Sequence, residues 1–147
     1  MTESVEIRNL NDSDPETISA AFKGIGAGKP VAQYRGYLAE QLAGSRVCFV
    51  ATFDKQFAGY VTVNWKPTYG PFVEQRIPEI QDLNVLPEFR RKGLATRLLI
   101  RAEEEILGRS SVAGIIVGLH PGYNQAQRLY VKRGYIPDGR GVTYRDR

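Results

Sequence analysis

The chain has 147 residues, of which 42% are hydrophobic and 24% charged, and a formal net charge of +4. That balance suits one soluble globular domain, residues 1–147, with enough core to need no staples. It excludes a membrane helix, since no apolar run approaches roughly 20 residues.

The start, MTESVEIRNL, lacks the apolar stretch of a signal peptide, so a cytoplasmic location is the default expectation. A single cysteine, Cys48, leaves no internal disulfide and no cysteine metal cluster to expect. The positive charge gathers at Arg90–Lys92 and in the C-terminal fifth (Arg128, Lys132, Arg133, Arg140, Arg145, Arg147). A compact anionic ligand accounts for it as well as nucleic acid does, and no basic stripe interleaved with aromatics supports the nucleic acid.

Val5 to Leu10 alternates apolar and polar side chains and reads as an opening strand. Asn11 to Pro15 is a turn with helix-start chemistry: Ser13 with Glu16 as a capping box, or Asp14 as cap with Pro15 behind it. Ile18, Ala21 and Phe22 mark a first helix. Lys23 to Pro30, KGIGAGKP, imitates a phosphate loop. A Walker A motif needs glycine at 23 and serine or threonine at 30, so the stretch reads instead as a flexible link.

Val31, Tyr34, Leu38 and Leu42 define a second helix ending at Gly44. Tyr34, Arg35 and Tyr37 are candidates to face a substrate, with simple packing an equal alternative. Arg46–Phe53 and Phe57–Trp65 form a hairpin around Asp54-Lys55-Gln56. Cys48 inside it reads as a buried, inert thiol, which argues against a covalent cysteine mechanism. Lys66 to Phe72 is a Pro/Gly/aromatic loop, and Trp65, Tyr69 and Phe72 are either a binding wall or packing over the sheet edge.

Glu79 to Leu86 is the central strand, which Pro87 stops because proline donates no backbone hydrogen bond. A helix follows, with Ala95, Leu98, Leu99, Ala102 and Ile106 on one face and Gly108 as a left-handed cap. Arg90, Arg91 and Lys92 crowd its start and Glu103, Glu104 and Glu105 its end, both against the helix dipole. Pairing of Arg101 with Glu105 explains the acidic end. The basic entrance is explained by an external anion, because free N–H groups, a glycine and adjacent cations make a phosphate site. Beyond it come a short strand at Gly114–Leu119, a helix capped by Asn124 and ended by Gly134, and short strands at Tyr135–Ile136 and Val142–Tyr144.

Leu83-Asn84-Val85-Leu86-Pro87 followed by Arg90-Arg91-Lys92-Gly93-Leu94-Ala95 resembles the acetyl-CoA-binding core of the Gcn5-related N-acetyltransferases (GNAT). Asn124 to Tyr135, with Leu129-Tyr130 and Gly134-Tyr135, resembles that family's second signature. The likeness covers nearly the whole chain. It implies an α/β (α+β) fold with a mixed, mostly antiparallel central sheet and helices on both faces. It also implies that Leu83, Asn84 and Val85 meet the pantetheine arm, and that the turn from Arg91 to Thr96 cradles the pyrophosphate. Asn124 would touch the cofactor and Tyr130 would serve the departing thiolate. Ala95 stands where many members have glycine, and a contact of Lys92 with the phosphates is an inference from its charge.

The activity so implied is transfer of acetyl from acetyl-CoA to a primary amine by direct attack. An amine with a pKa of about 10.4 is only on the order of one part in a thousand neutral at pH 7, so a base is needed. Glu79, six residues before Val85, is the first candidate, with Asp82 and His120 as alternatives. A backbone N–H near Val85 would hold the oxyanion. A non-catalytic acyl-CoA sensor and a small nucleic-acid-binding domain are the rival readings. The aromatic residues favour a small-molecule amine over a protein acceptor. No nucleic-acid or membrane partner is expected, and monomer and homodimer both stay open.

Overall fold

The computed structural model describes residues 4–68, 70–115, 133–137 and 142–145. The described elements are β1 (Val5–Asn9), α1 (Asp14–Lys23), α2 (Val31–Ala43), β2 (Arg46–Phe53), β3 (Gln56–Asn64), α3 (Gly70–Gln75) and β4 (Glu79–Val85). A one-turn 3₁₀ helix (Pro87–Phe89), α4 (Leu94–Leu107), β5 (Val112–Ile115), β6 (Tyr135–Pro137) and β7 (Val142–Arg145) follow. Among these residues the strands form one sheet in the order β1-β2-β3-β4-β5-β7-β6. Every pairing is antiparallel except β4 with β5. The mixed, mostly antiparallel sheet is the one expected.

Register decides what each face carries. Cys48, Thr62 and Gln81 lie abreast on three neighbouring strands and point one way, while Phe49 and Val61 point the other. Arg46, on the Cys48 side, lies over the Tyr37 ring of α2 at 4.4 Å. Arg101 of α4 lies over the Phe49 ring at 4.5 Å. Helices therefore cover opposite faces. The core is continuous through the sheet, with Phe49, Val50, Val61 and Val63 inside the hairpin and Leu94, Leu98, Leu99 and Ile106 from α4 all fully buried.

Several local expectations are corrected. Neither Ser13 nor Asp14 caps α1 with its side chain. Asp14 instead accepts two bonds from Arg8, at 2.7 and 2.9 Å, and one from the Asn11 N–H. A carboxylate committed to a strand arginine has no lone pair aimed at the helix. Gly44 takes the left-handed cap, φ +87°, but Gly108 stays right-handed at φ −69°. The stretch read as a loop from Lys66 to Phe72 enters a helical turn, α3, and buries Phe72 completely. The strand placed at Gly114–Leu119 starts earlier, at Val112, and its residues past 115 lie outside those described, as do the helix from Asn124 and the turn at His120.

The acidic end of α4 divides in two. Arg101 pairs with Glu105 at 3.0 Å, one helical turn apart, as expected. Glu103 is buried, and its carboxylate takes Arg133 Nη2 at 2.5 Å and the Tyr135 hydroxyl at 3.0 Å. That burial was not legible from a run of three glutamates, since the partners lie some 30 residues away.

β3 and β4 approach unusually closely at Gly59. A Cβ there would stand 2.6 Å from the Asn84 carbonyl oxygen, which is backbone and cannot swing aside. Gly59→Ala is expected to cost about 1–3 kcal/mol, an overpacking penalty, in urea unfolding monitored by circular dichroism.

Candidate functional site

β4 carries the site because its regular ladder fails midway. Tyr60 pairs with Asn84 and Thr62 with Gln81, so Asp82 and Leu83 together oppose Val61 alone. This is a bulge, and Asp82 adopts φ +54° to make it. Aspartate is among the few residues that enter the left-handed region at modest cost. Gln81 to Asn84 are only partly buried, in contrast to Glu79, Ile80 and Val85 on either side. β5 pairs with β4 at Glu79 and Ile80, and its continuation lies outside the described residues.

Past Val85 the chain turns without support from side-chain caps. The Leu86 N–H returns to the Ala58 carbonyl at 2.8 Å, and Phe89 tucks against Phe53 with ring centroids 5.7 Å apart. Arg91 at φ +65° and Gly93 at φ +76° are both left-handed, and they bend the backbone sharply into α4. The first hydrogen bond of the helix runs from the Arg97 N–H to the Gly93 carbonyl. The N–H groups of Arg91, Lys92, Gly93, Leu94, Ala95 and Thr96 consequently find no acceptor among the described residues. Among the described residues nothing lies within 4 Å of a Cβ built on Gly93, so the turn is open at that point.

These groups fit a pyrophosphate. Successive free amides, the positive end of a well-packed helix and exposed Arg90 and Arg91 supply donors and charge to an anion. Lys92 is also exposed, but its ammonium sits over the Phe53 ring at 4.8 Å. Among the described residues, then, the first partner of Lys92 is a ring and not an open approach to the turn.

The α2 side of β4 holds a polar cluster that the sequence reading located only in part. Arg46 is buried and satisfied by Glu40 at 2.5 Å, Thr62 at 2.6 Å and Gln81 at 2.9 Å. The Tyr37 hydroxyl donates to Asp82, and Lys29 Nζ lies 2.5 Å from the same Asp82 oxygen. Tyr34, fully buried, and Tyr60 touch hydroxyl to hydroxyl at 3.3 Å, and Asn84 Nδ2 donates to Tyr60 at 3.3 Å. Burial raises the Tyr37 pKa, and the neighbouring Asp82 carboxylate raises it further. Burial likewise drives Tyr60 well above the usual phenol range. These phenols therefore stay protonated and act as hydrogen-bond donors.

Glu79 is buried at the start of β4, where a solvated carboxylate was the bland alternative. Desolvation raises its pKa, and a hydrogen bond from Gln81 and the charge of Arg46 offset part of the rise. A carboxyl so placed ionises nearer to neutrality than a free glutamate and so makes a better proton acceptor.

Other candidates are dispersed. Arg35 points away from the cluster and pairs with Glu16 and Asp12. Trp65 is stacked under the Arg109 guanidinium at 4.1 Å, beyond the C-terminal end of α4. Phe72 lies buried against the Gly114 backbone, where a Cβ would meet its ring at 2.5 Å. Both pack against neighbours, and among the described residues no ring contact joins them to Tyr34 and Tyr37. Tyr69, Asn124, Tyr130 and His120 lie outside the described residues.

Six residues of the cluster, Lys29, Glu40, Arg46, Tyr60, Thr62 and Gln81, escaped the sequence reading. Lys29 belongs to the glycine-rich link, whose composition said only that it was loop. Arg46 carried a usable signal: strand alternation puts it on the same face as the buried Cys48 and Val50.

The chain matches the acetyltransferase (GNAT) family over residues 7–135 and belongs to that family. An uncharacterized N-acetyltransferase of Archaeoglobus fulgidus is 36% identical over 87 residues, which is 57% of this chain and 56% of the relative. The match thus spans little more than half of that relative's length. Among solved structures, an N-acetyltransferase from Staphylococcus aureus Mu50 superposes with a TM-score of 0.75 at 16% identity, covering 92% of this chain and 86% of the other. The PaiA N-acetyltransferase of Thermoplasma acidophilum in complex with coenzyme A superposes at 0.72 and 17% identity, covering 97% and 99%. At such identities these two establish the fold. GNAT enzymes take their acyl group from acetyl-CoA.

Two outcomes follow from the buried groups. Desolvation pushes the Cys48 thiol up to about 12. It should therefore resist a thiol reagent at neutral pH in the native protein and react fully once urea unfolds it, as read by mass spectrometry. Glu79 works on stability. Its folded pKa lies above the unfolded value of 4.5, so its contribution is present below that value and lost as pH rises through the folded one. Urea unfolding between about pH 4 and 7 should show wild type losing stability relative to Glu79→Gln as pH rises.

Proposed function

We propose that the protein is a single-domain acetyl-CoA-dependent N-acetyltransferase that acetylates a primary amine by direct attack in a ternary complex. The observation that carries the reading is the open basic turn with its consecutive unpartnered amides from Arg91 to Thr96. A non-catalytic sensor would share that turn. The buried, elevated carboxyl of Glu79 favours catalysis over sensing.

In this reading the Arg91–Thr96 amides bind the pyrophosphate, with Arg90 and Arg91 adding charge and Lys92 available on leaving the Phe53 ring. Leu83, Asn84 and Val85 align the pantetheine arm along the exposed middle of β4, and Asn124 adds a contact. Acetyl-CoA bound there supplies the acetyl group as an activated thioester. Glu79, reached through water, takes the proton that keeps the acceptor ammonium from attacking. Asp82 is already committed to Lys29 and Tyr37, which leaves Glu79 the freer base. A backbone N–H near Val85 holds the negative charge that develops on the carbonyl oxygen. Tyr130 delivers a proton to the sulfur as the carbon–sulfur bond breaks. The acceptor enters on the α2 side of β4, where Tyr34 and Tyr37 stand, and a small amine is favoured over a protein.

Release of free thiol from acetyl-CoA across a panel of amines tests the activity. Gly93→Asp tests the site, because it puts a carboxylate against the phosphates and a side chain on a left-handed residue. Calorimetric affinity for coenzyme A should fall at least about tenfold, the scale of one lost charge-assisted contact. Unchanged affinity in a variant with a normal circular dichroism spectrum would sink the proposed site.

A further inference from the structure

Lys29 is fastened at two points. Its carbonyl accepts from Ser19 Oγ at 2.7 Å, and its ammonium meets Asp82 Oδ2 at 2.5 Å. The glycines before it (Gly24, Gly26, Gly28) let the link fold tightly. A Cβ on Gly28 would lie 2.7 Å from the Lys23 nitrogen. A loop built this closely carries one lysine to one carboxylate at the β4 bulge.

The carboxylate is suited to an ammonium. Tyr37 donates to the oxygen that Lys29 meets, while Asp82 Oδ1 has no partner among the described residues. The rings of Tyr34, Tyr37 and Tyr60 stand edge to face beside it, with centroids 6.1 and 5.5 Å apart, and aromatic rings attract cations. Arg46, stacked on the Tyr37 ring at 4.4 Å, is hydrogen-bonded to Glu40, Thr62 and Gln81 and forms no ion pair with Asp82 among the described residues. The Lys29–Asp82 pair keeps side-chain exposures of 32% and 24%, which puts it in the partly solvated class where one ammonium can replace another at little cost.

We propose that Asp82, with Tyr37, is the receptor for the second ammonium of an acceptor carrying two amines, and that Lys29 fills it from within in the free protein. This deepens the transferase reading above and rests on it. Asp82 stands three residues before Val85, and because the bulge lets β4 keep pace with only two residues of β3, the span is roughly 7 Å along the strand. A linear diamine of about that length would hold one charged end at Asp82 and present the other amine beside Val85. Displaced Lys29 returns to solvent, so exchange swaps one ion pair for another.

The test compares hexane-1,6-diamine with hexylamine in wild type, Lys29→Met and Asp82→Asn. With acetyl-CoA, Lys29→Met should lower the diamine KM about fivefold and leave the hexylamine KM within about twofold, since one partly exposed ion pair is at stake. Asp82→Asn should raise the diamine KM to that of hexylamine. Thermal shift by the diamine alone gives a readout without turnover. It should be larger in Lys29→Met than in wild type and absent in Asp82→Asn. Equal KM changes for both amines in Lys29→Met, or a diamine shift that survives Asp82→Asn, overturns the proposal and makes Lys29 a loop clamp only. If Asp82→Asn does not fold, the comparison of amines in Lys29→Met decides. A wild type that acetylates neither amine yet shows the charge-dependent shift would retain the receptor and count against the transferase reading.

Discussion

An N–H group at the start of a helix must find an acceptor, and from Arg91 to Thr96 the chain leaves six in a row without one among the described residues. Such a run is tolerable only where water or a ligand can reach it. The rest of the architecture keeps it reachable and in place. Phe89 and Leu94, buried on either side, anchor the turn so that it cannot collapse onto itself. Two left-handed residues then set its curvature. The turn thereby presents mainly backbone donors, and the exposed cations around it add positive charge without defining the shape.

The two faces of the sheet divide the work. On the α4 face the contacts are mostly apolar, with Arg101 over Phe49 and the buried Glu103 as exceptions, and they fix the Arg91–Thr96 turn relative to β4. On the α2 face a buried arginine, three tyrosines, an amide and a carboxylate crowd around the bulge. Each hydroxyl there keeps its proton because burial penalises the phenolate. The result is a set of protonated, oriented hydroxyls grouped around one carboxylate, Asp82.

Short-range chemistry was legible in the sequence and long-range chemistry was not. Pro87, Gly93 and the spacing of Leu98, Leu99 and Ile106 announce the strand, turn and helix because their cause lies within a few residues. Gly44 and the hairpin at Asp54-Lys55 were readable for the same reason, being left-handed positions in a local turn. The cap of α1 was misread because Arg8, from a different element, captured Asp14. The α3 turn escaped because six residues, one of them proline, carry too little periodicity to separate helix from loop. Lys29 meeting Asp82, and Phe72 filling the space above Gly114, are products of tertiary contact alone. Neither leaves a trace in spacing or composition.

The buried Glu103 gives α4 a mechanical role. With 14 residues the helix runs about 21 Å, from the anion turn at one end toward Arg133 and the opening residue of β6 at the other. A buried carboxylate gives up such partners only at considerable cost. Any roll of the helix about its own axis must therefore carry the C-terminal hairpin with it. Torque applied at the Arg91–Thr96 turn is carried, through a stiff rod, to the β6 edge of the sheet.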